Sequence, residues 1–259
     1  MKQTIAFVKM HGIGNDFVLI DNRLQHIKLS TALIRSIADR HTGIGFDQLL
    51  LIDESRLRDC DAAYRFFNPD GSEAEQCGNG QRCISKYLSM KSPEKREFCI
   101  SGLSGLIHSK INTDGLVSVN MGAINAISQL TIDNQLCHHV LFGNPHLVTE
   151  QQNIMECNLI NLNNELTKAY LQGINFEIVE IISKAEIKIR VSERGTGETL
   201  ACGSGACAAV AALQNTGQLN NIVKVMLPGG NLVVEYNEID KNLYLTGAAV
   251  HVFTGEISI

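Results

Sequence analysis

"ACGSGACAAV", residues 201–210, sets a cysteine in front of a Gly-Ser-Gly turn and then runs into alanine. The string continues through "AALQNTG" with no polar face until Gln214, which predicts a helix buried on all sides and closed by Gly217. An earlier stretch, "QCGNGQRCIS" at 76–85, repeats the arrangement and predicts a second helix that turns Cys83, Ile84, Tyr87 and Leu88 inward. Cys77 and Cys202 therefore each stand at a helix N-terminus.

The repetition extends beyond the cysteines. "GIGNDFVLI" at 12–20 has a partner in "LFGNPHLVT" at 141–149, with Asn15 and Asn144 separated by 144 − 15 = 129 positions. Cys77 and Cys202 are separated by 202 − 77 = 125. Two features at nearly one offset point to a duplicated unit, Gly-Asn early and Cys-Gly-x-Gly late, and so to two similar domains facing across a cleft. Between these landmarks "TIAFVKM", "DQLLLI", "AAYRFFN", "LVSVNMG", "EIKIRVSERG" and "NLYLTGAAVHVF" read as strands, and "VKVMLPGGNLVVEY" as a hairpin across Pro-Gly-Gly. "STALIRSIADRH" reads as a helix opened by Ser30, with Leu33, Ile34, Ile37 and Ala38 at helical spacing.

Composition narrows the function. The 259 residues are 44% apolar and 19% charged, enough for a large core in one domain or two of half size. A net charge of −5 and the lack of a Lys/Arg run argue against nucleic-acid and anionic-membrane partners and leave a small molecule as the expected ligand. The apolar run TIAFV is cut by Lys9 and is too short for a signal sequence, and no run approaches a membrane span, so a cytoplasmic location is expected. Eight cysteines are too sparse for a disulfide scaffold and should be thiols in a reducing compartment. Cys60, Cys83, Cys99, Cys137, Cys157 and Cys207 read as small buried hydrophobes. Cys77/Cys83 and Cys202/Cys207 have five and four residues between them and no CxxC or paired His supports them, so no metal is expected. "HTGIGFD" lacks the third glycine of a dinucleotide fingerprint and the Gly-Lys-Ser/Thr of a P-loop.

Helix N-termini supply the chemistry. Their unpaired N–H groups and dipole attract an anion, so two aimed at one place would hold a carboxylate, and the same field is expected to lower a thiol pKa toward thiolate. If the carboxylate belongs to an amino acid, its α-carbon lies between two sulfurs. A thiolate on one face then removes the α-proton, a thiol on the other returns one, and the centre inverts. Donors at both helix ends would stabilise the charge that spreads onto the carboxylate, so no pyridoxal phosphate or other cofactor is required.

Taken together, "KMHGIGNDF", "GFDQLL", "FNPDGSEAEQCGNGQRC", "GNPH" and "ERGTGETLACGSGACA" resemble the diaminopimelate epimerase family over nearly the whole chain. The resemblance implies a cofactor-independent two-base isomerase that interconverts LL- and meso-2,6-diaminopimelate for lysine and cell-wall synthesis. It also implies an α+β fold, the alpha-beta roll. Two pseudo-symmetric domains, residues 1–120 with 248–259 and residues 121–247, would each wrap a curved, barrel-like, mostly antiparallel sheet around a central helix, with the active site in the cleft between them. Cys77 and Cys202 match the catalytic cysteines. Gly78, Asn79, Gly203 and Ser204 match the backbone donors to the reacting carboxylate. Asn15, Gln48 and Glu193 would surround the reacting amino group, while Asn68, Asn144, Asn175 and Arg194 would read the distal end, where the planar fork of Arg194 suits a carboxylate. His146 and Glu193 are candidates for tuning the cysteine pKa values, with a packing histidine as the plainer reading of His146. A homodimer is implied as well, with Phe253 where many relatives carry a tyrosine at the dimer contact. A racemase of another amino acid could keep both cysteines without Asn68, Asn175 and Arg194. An amino-acid-binding module would have no use for the thiols.

Overall fold

The computed structural model describes residues 4–74, 77–103 and 105–258. The chain divides into two units, residues 1–119 with 247–259 and residues 120–246. The first 120 or so residues contain β1 (Thr4–Gly12), β2 (Asn15–Asp21), α1 (Thr31–Ala38), β3 (Gln48–Asp53), β4 (Ala62–Phe67), β5 (Glu73–Ala74), α2 (Gly78–Lys91), β6 (Glu97–Gly102), β7 (Gly105–Ile111) and β8 (Val117–Ala123). There follow β9 (Ala126–Ile132), β10 (Gln135–Phe142), β11 (Asn144–Glu150), α3 (Leu159–Leu166), β12 (Asn175–Ser183), β13 (Glu186–Glu193), β14 (Gly197–Thr199), α4 (Gly203–Asn215), β15 (Ile222–Leu227), β16 (Gly230–Tyr236) and β17 (Asn242–Gly247). The last strand is β18 (Val250–Ser258). Among the described residues no helix is long and apolar enough to cross a membrane.

The two units pair their strands in the same order. In the first, β1 is antiparallel to β2, β2 parallel to β3, β3 antiparallel to β4, β4 antiparallel to β5 and parallel to β6, and β6 antiparallel to β7. In the second, β10, β11, β12, β13, β14, β15 and β16 repeat that series of directions step for step. Even the outer neighbour matches, since β18 flanks β1 as β9 flanks β10, both antiparallel. Each parallel pair needs a long crossover, which α1 and α2 supply in one unit and α3 and α4 in the other.

Parallel strands covered on both faces read as unbroken apolar runs. "FVLI" in β2 and "LLLI" in β3 are such runs, and every residue in them is buried. Val18, Ile20, Leu49 and Leu51 pack with Ile34 and Ile37 of α1, while Leu50 and Phe66 approach Gly80 of α2. In the second unit Leu147, Phe176 and Ile178 pack with Leu159 and Leu166 of α3.

Ser30 caps α1, its hydroxyl accepting from the Leu33 N–H at 3.2 Å. The alanine-rich α4 is buried along nearly its full length and ends before Gly217, whose φ of +74° glycine adopts without strain. Burying Val210 and Leu213 there contributes about 1.5–3 kcal/mol each. Three expectations need correction. The segment 242–253 is two strands rather than one, broken at Ala248-Ala249. The inward face of α2 carries Asn79, Gln81, Arg82 and Ser85 besides its apolar residues. Of the six cysteines read as buried hydrophobes, Cys60, Cys99 and Cys157 are only half-buried.

Candidate functional site

Cys77 and Cys202 are the N-cap residues of α2 and α4, both extended in backbone conformation. In each case the sulfur accepts the N–H of the residue three positions on, Gly80 or Gly205, at 3.4 Å. The carbonyls of Cys77 and Cys202 start their helices by accepting from Gln81 (2.9 Å) and Ala206 (3.1 Å). Gly78, Asn79, Gly203 and Ser204 therefore lie in first turns, where backbone N–H groups point out along the helix axis toward an anion.

A matched pair of ion pairs delivers the two caps. Arg65 grips Glu73 through Nε–Oε1 at 2.7 Å and Nη2–Oε2 at 2.9 Å, and Arg190 grips Glu198 through the same atoms at the same distances. The offsets 190 − 65 and 198 − 73 are both 125, the offset of the cysteines. Each bidentate clamp holds the short strand, β5 or β14, through a glutamate that stands four positions before the cysteine. The motif comparison did not single these residues out, although a search at that fixed offset finds them.

Around Cys77 the first unit gathers Asn15 and Asn79. The Asn15 carbonyl oxygen accepts from Asn79 Nδ2 at 3.2 Å and lies 3.8 Å from the Cys77 sulfur. Asn15 opens β2 after a two-residue turn at Ile13-Gly14, where both φ values are positive (47° and 90°). A branched side chain is disfavoured there, and burial of Ile13 in the core offsets the strain. On the other side Asn15 donates to Asp47 at 2.9 Å, and Asp47 is locked to Asp16 by reciprocal backbone and side-chain bonds and to Arg40 at 2.7 Å. Lys9 and Arg40 both bind Asp16. Burial raises the Asp16 carboxyl, but the hydrogen bonds and charges of Arg40 and Lys9 outweigh it and hold it at about 2. The fully buried Arg82 donates to Asn79 Oδ1 at 2.7 Å and so fixes which way that amide points. Gln48 donates to Asn68 at 3.1 Å, and Asn68 donates to Ser72 at 3.0 Å. The other end of Gln48, Oε1, is buried without a hydrogen-bond partner among the described residues.

The second unit surrounds Cys202 with acids. Ser204 Oγ is 3.5 Å from the sulfur. Glu193 accepts from Thr199 Oγ1 at 2.5 Å and from the Cys202 thiol, and burial raises its pKa. His146 Nδ1 is 2.7 Å from Glu177 Oε1, and both side chains are completely buried. Burial, followed by the charges of Glu193 and Glu177, pushes the Cys202 thiol well above the ordinary range, against the opposing bonds from Ser204 and Gly205. This corrects the expectation that the helix dipole would give a thiolate here. A dipole worth about 0.3–2 kcal/mol does not overcome a dry site with two carboxylates. Glu177 was not anticipated from sequence, and neither were Arg82, Asp16 and Asp47.

The remaining candidates sit on the same strand ends. Asn175 opens β12 beside His146, and its side-chain amide Oδ1 accepts the Arg194 backbone N–H at 2.9 Å. The Arg194 side chain is exposed and packs along Gly173. Asn144 is exposed at the start of β11, two residues before His146, and no hydrogen bond of the described residues ties it to Cys202. Among the described residues no cluster of three or more His, Cys, Asp or Glu side chains is placed to hold a metal ion.

A family model described as diaminopimelate epimerase matches residues 7–127 and 139–252. The chain belongs to that family. Its isomerase/epimerase fold is shared with a phenazine biosynthesis protein of the PhzF family from Bacillus anthracis, at a TM-score of 0.77 and 16% identity over 99% of each chain. A hydroxyproline epimerase from Agrobacterium vitis, solved with trans-4-hydroxy-L-proline bound, is similar over 100% of this chain and 94% of its own, at a TM-score of 0.72 and 11% identity.

Proposed function

We propose that the chain interconverts LL- and meso-2,6-diaminopimelate by two-base proton transfer, with Cys77 and Cys202 exchanging roles as thiolate base and thiol acid. The observation that carries this reading is the duplicated N-cap, a sulfur bonded at 3.4 Å to the third N–H of a buried helix in each unit. Such a pair offers one acid, one base and two sets of carboxylate donors, which is what inversion at an α-carbon requires. The unpartnered Oε1 of Gln48 suits an ammonium donor, in keeping with a place near the reacting amino group. Asn68, Asn144, Asn175 and Arg194 are assigned to the distal amino-acid end, and the exposed fork of Arg194 to its carboxylate. Glu193 and His146 are assigned to tuning the thiols. A cytoplasmic homodimer accompanies this reading, with exposed Val250, Val252 and Phe253 of β18 as its contact.

The test is incubation with LL-diaminopimelate in heavy water, followed by product stereochemistry and α-deuterium content. Meso product carrying solvent deuterium is expected, and Cys77→Ala or Cys202→Ala each lowers the rate by several orders of magnitude, because members of one catalytic unit are strongly non-additive. Arg194→Leu should lower kcat/KM by about 2–5 kcal/mol, because bound substrate would cover the fork, exposed in the free chain, and the distal carboxylate would lose its partner in a closed site. Equal turnover of lysine, which lacks the distal carboxylate, would assign the site to another amino acid.

A further inference from the structure

The two helix starts share one geometry but have different floors. Gly80 and Gly205 occupy corresponding positions in α2 and α4, 205 − 80 = 125. A Cβ at Gly80 would meet only apolar atoms, Leu50 Cδ2 at 3.1 Å and Phe66 Cζ at 3.2 Å. A Cβ at Gly205 would meet Glu177 Oε1 at 2.7 Å and the Cys202 sulfur at 3.3 Å. Strand register explains the substitution. Leu50 is the third residue of β3 and pairs with Phe66, while Glu177 is the third residue of β12 and pairs with Val191. His146 likewise stands third in β11 beside Asn175, where Phe17 stands third in β2 beside Gln48. One unit fills these two places with phenylalanine and leucine, the other with histidine and glutamate.

Packing does not demand the polar pair, since the same fold closes without it. Burying two ionisable groups costs several kcal/mol before their attraction is counted, and apolar replacements are often the more stable choice. The pair is also incompletely satisfied. Among the described residues, His146 Nε2 and Glu177 Oε2 are both buried without hydrogen-bond partners. With Nδ1 tied to an acid, what the open Nε2 can do is set by which nitrogen carries the ring proton.

We propose that Glu177 is a positioning residue that accepts the Nδ1–H of His146, fixing the ring's orientation and tautomer so that the Nε2 lone pair is left open to accept a proton beside the start of α4. This rests on the epimerase reading only for its kinetic consequence, since the tautomer belongs to the protein itself. The acid acts through the histidine, holding it in one of two nearly isoenergetic neutral forms.

The first measurement is nitrogen-15 NMR of the histidine-labelled full chain without substrate, with the His146 signal identified by its loss in His146→Gln. The wild type should carry its proton on Nδ1, and Glu177→Gln, whose amide can donate to the ring as well as accept, should lose that single tautomer. A wild-type proton on Nε2, or an unchanged tautomer in Glu177→Gln, overturns the proposal. The second is α-deuterium exchange of diaminopimelate in heavy water. Glu177→Gln should lower kcat by about 10²-fold or more while KM stays within about threefold, and Glu177→Asp, which keeps the acceptor, should recover part of it. A tautomer shift with unchanged kcat would overturn the positioning role. If Glu177→Gln fails to fold, the wild-type tautomer and the partial rate of Glu177→Asp decide the question. Failure of the epimerase reading looks different: no exchange by the wild type, with the Nδ1–H tautomer still present.

Discussion

Gly205→Ala inserts one methyl group between a buried carboxylate and a buried thiol, and its cost is calculable from the neighbours. The new Cβ would sit 2.7 Å from Glu177 Oε1 and 3.3 Å from the Cys202 sulfur, and the first distance is shorter than real Cβ atoms tolerate. Glu177 must retreat by roughly half an ångström or more, and its 2.7 Å bond to His146 goes with it. Losing a hydrogen bond to a charged group costs about 1.5–3 kcal/mol, and overpacking adds about 1–3 kcal/mol. Alanine returns about 1 kcal/mol of helix propensity, which leaves a net loss of about 2–5 kcal/mol. Gly80→Ala is the internal control. Its neighbours at 3.1–3.3 Å are the ends of Leu50 and Phe66, which can yield by a few tenths of an ångström, so it should fall within about 1 kcal/mol of wild type. Urea unfolding of both variants measures the difference. A cycle with Glu177→Ala, which removes the clashing oxygen, should show favourable coupling. Equal losses at Gly80 and Gly205, or additivity in the cycle, would refute the picture of a carboxylate wedged under the Cys202 helix.

Two further outcomes follow from groups outside the helix starts. Cys60 and Cys99 face each other with sulfurs 2.9 Å apart, so a disulfide-bearing oxidant in excess should link them, each thiol giving up its hydrogen as the oxidant's disulfide is reduced. Closing a loop of 39 positions, 99 − 60, stabilises by about 4 kcal/mol in the chain-entropy model, so peptide mapping should find this pair and the melting temperature should rise, whereas Cys60→Ser abolishes both effects. Asp16 contributes acid-sensitive stability: its folded pKa of about 2 lies below the ordinary carboxyl value, so the contribution is complete above about pH 4 and is lost as pH falls through about 2. The stability gap between wild type and Asp16→Asn should therefore close over that interval, and a gap that persists at pH 2 would count against the Lys9–Asp16–Arg40 network.

The parts of this fold that were legible in the sequence are those set by local chemistry. Ser30 caps α1 because a hydroxyl in that place satisfies an orphan N–H, and the alanine string after Cys202 admits no solvent face. What remained hidden depends on which faces are covered. Glu177 in "FEIVE" looks like the solvent side of an alternating strand, yet α3 packs over one face of β12 and α4 over the other, so every residue from Asn175 to Val179 is buried. Arg82 follows the same logic. On an amphipathic helix it would face water, but α2 is packed against β1, β2, β3, β7 and β18, and the guanidinium turns back onto Asn79 and the Ala248 carbonyl. The Ala248 carbonyl lies in the break between β17 and β18 that the strand pattern did not reveal.

Duplication supplies two equal helix starts, but two-base inversion needs unequal partners, one sulfur charged while the other keeps its proton. Under the proposed function, Cys202 is the sulfur that keeps its proton. The sulfur is 6% exposed, and Glu193 and Glu177 lie close enough for their charges to oppose a thiolate. On the proposed two-base reading, Cys202 enters a turnover as the proton donor and Cys77 takes the α-proton. Alkylation should reveal this. With iodoacetamide in excess and Cys202 quantified by peptide mapping, its rate should stay low through the ordinary thiol range near about 8.5 and climb only at higher pH, because the reactive species is the thiolate. Glu193→Gln removes the larger of the two opposing carboxylate effects and should move that rise toward lower pH, while Cys83, buried beside Arg82 with its own pKa raised by burial, should remain unreactive in both proteins. A Cys202 profile that rises in the ordinary thiol range, or one that Glu193→Gln leaves in place, would show that the acids around this sulfur do not control its proton.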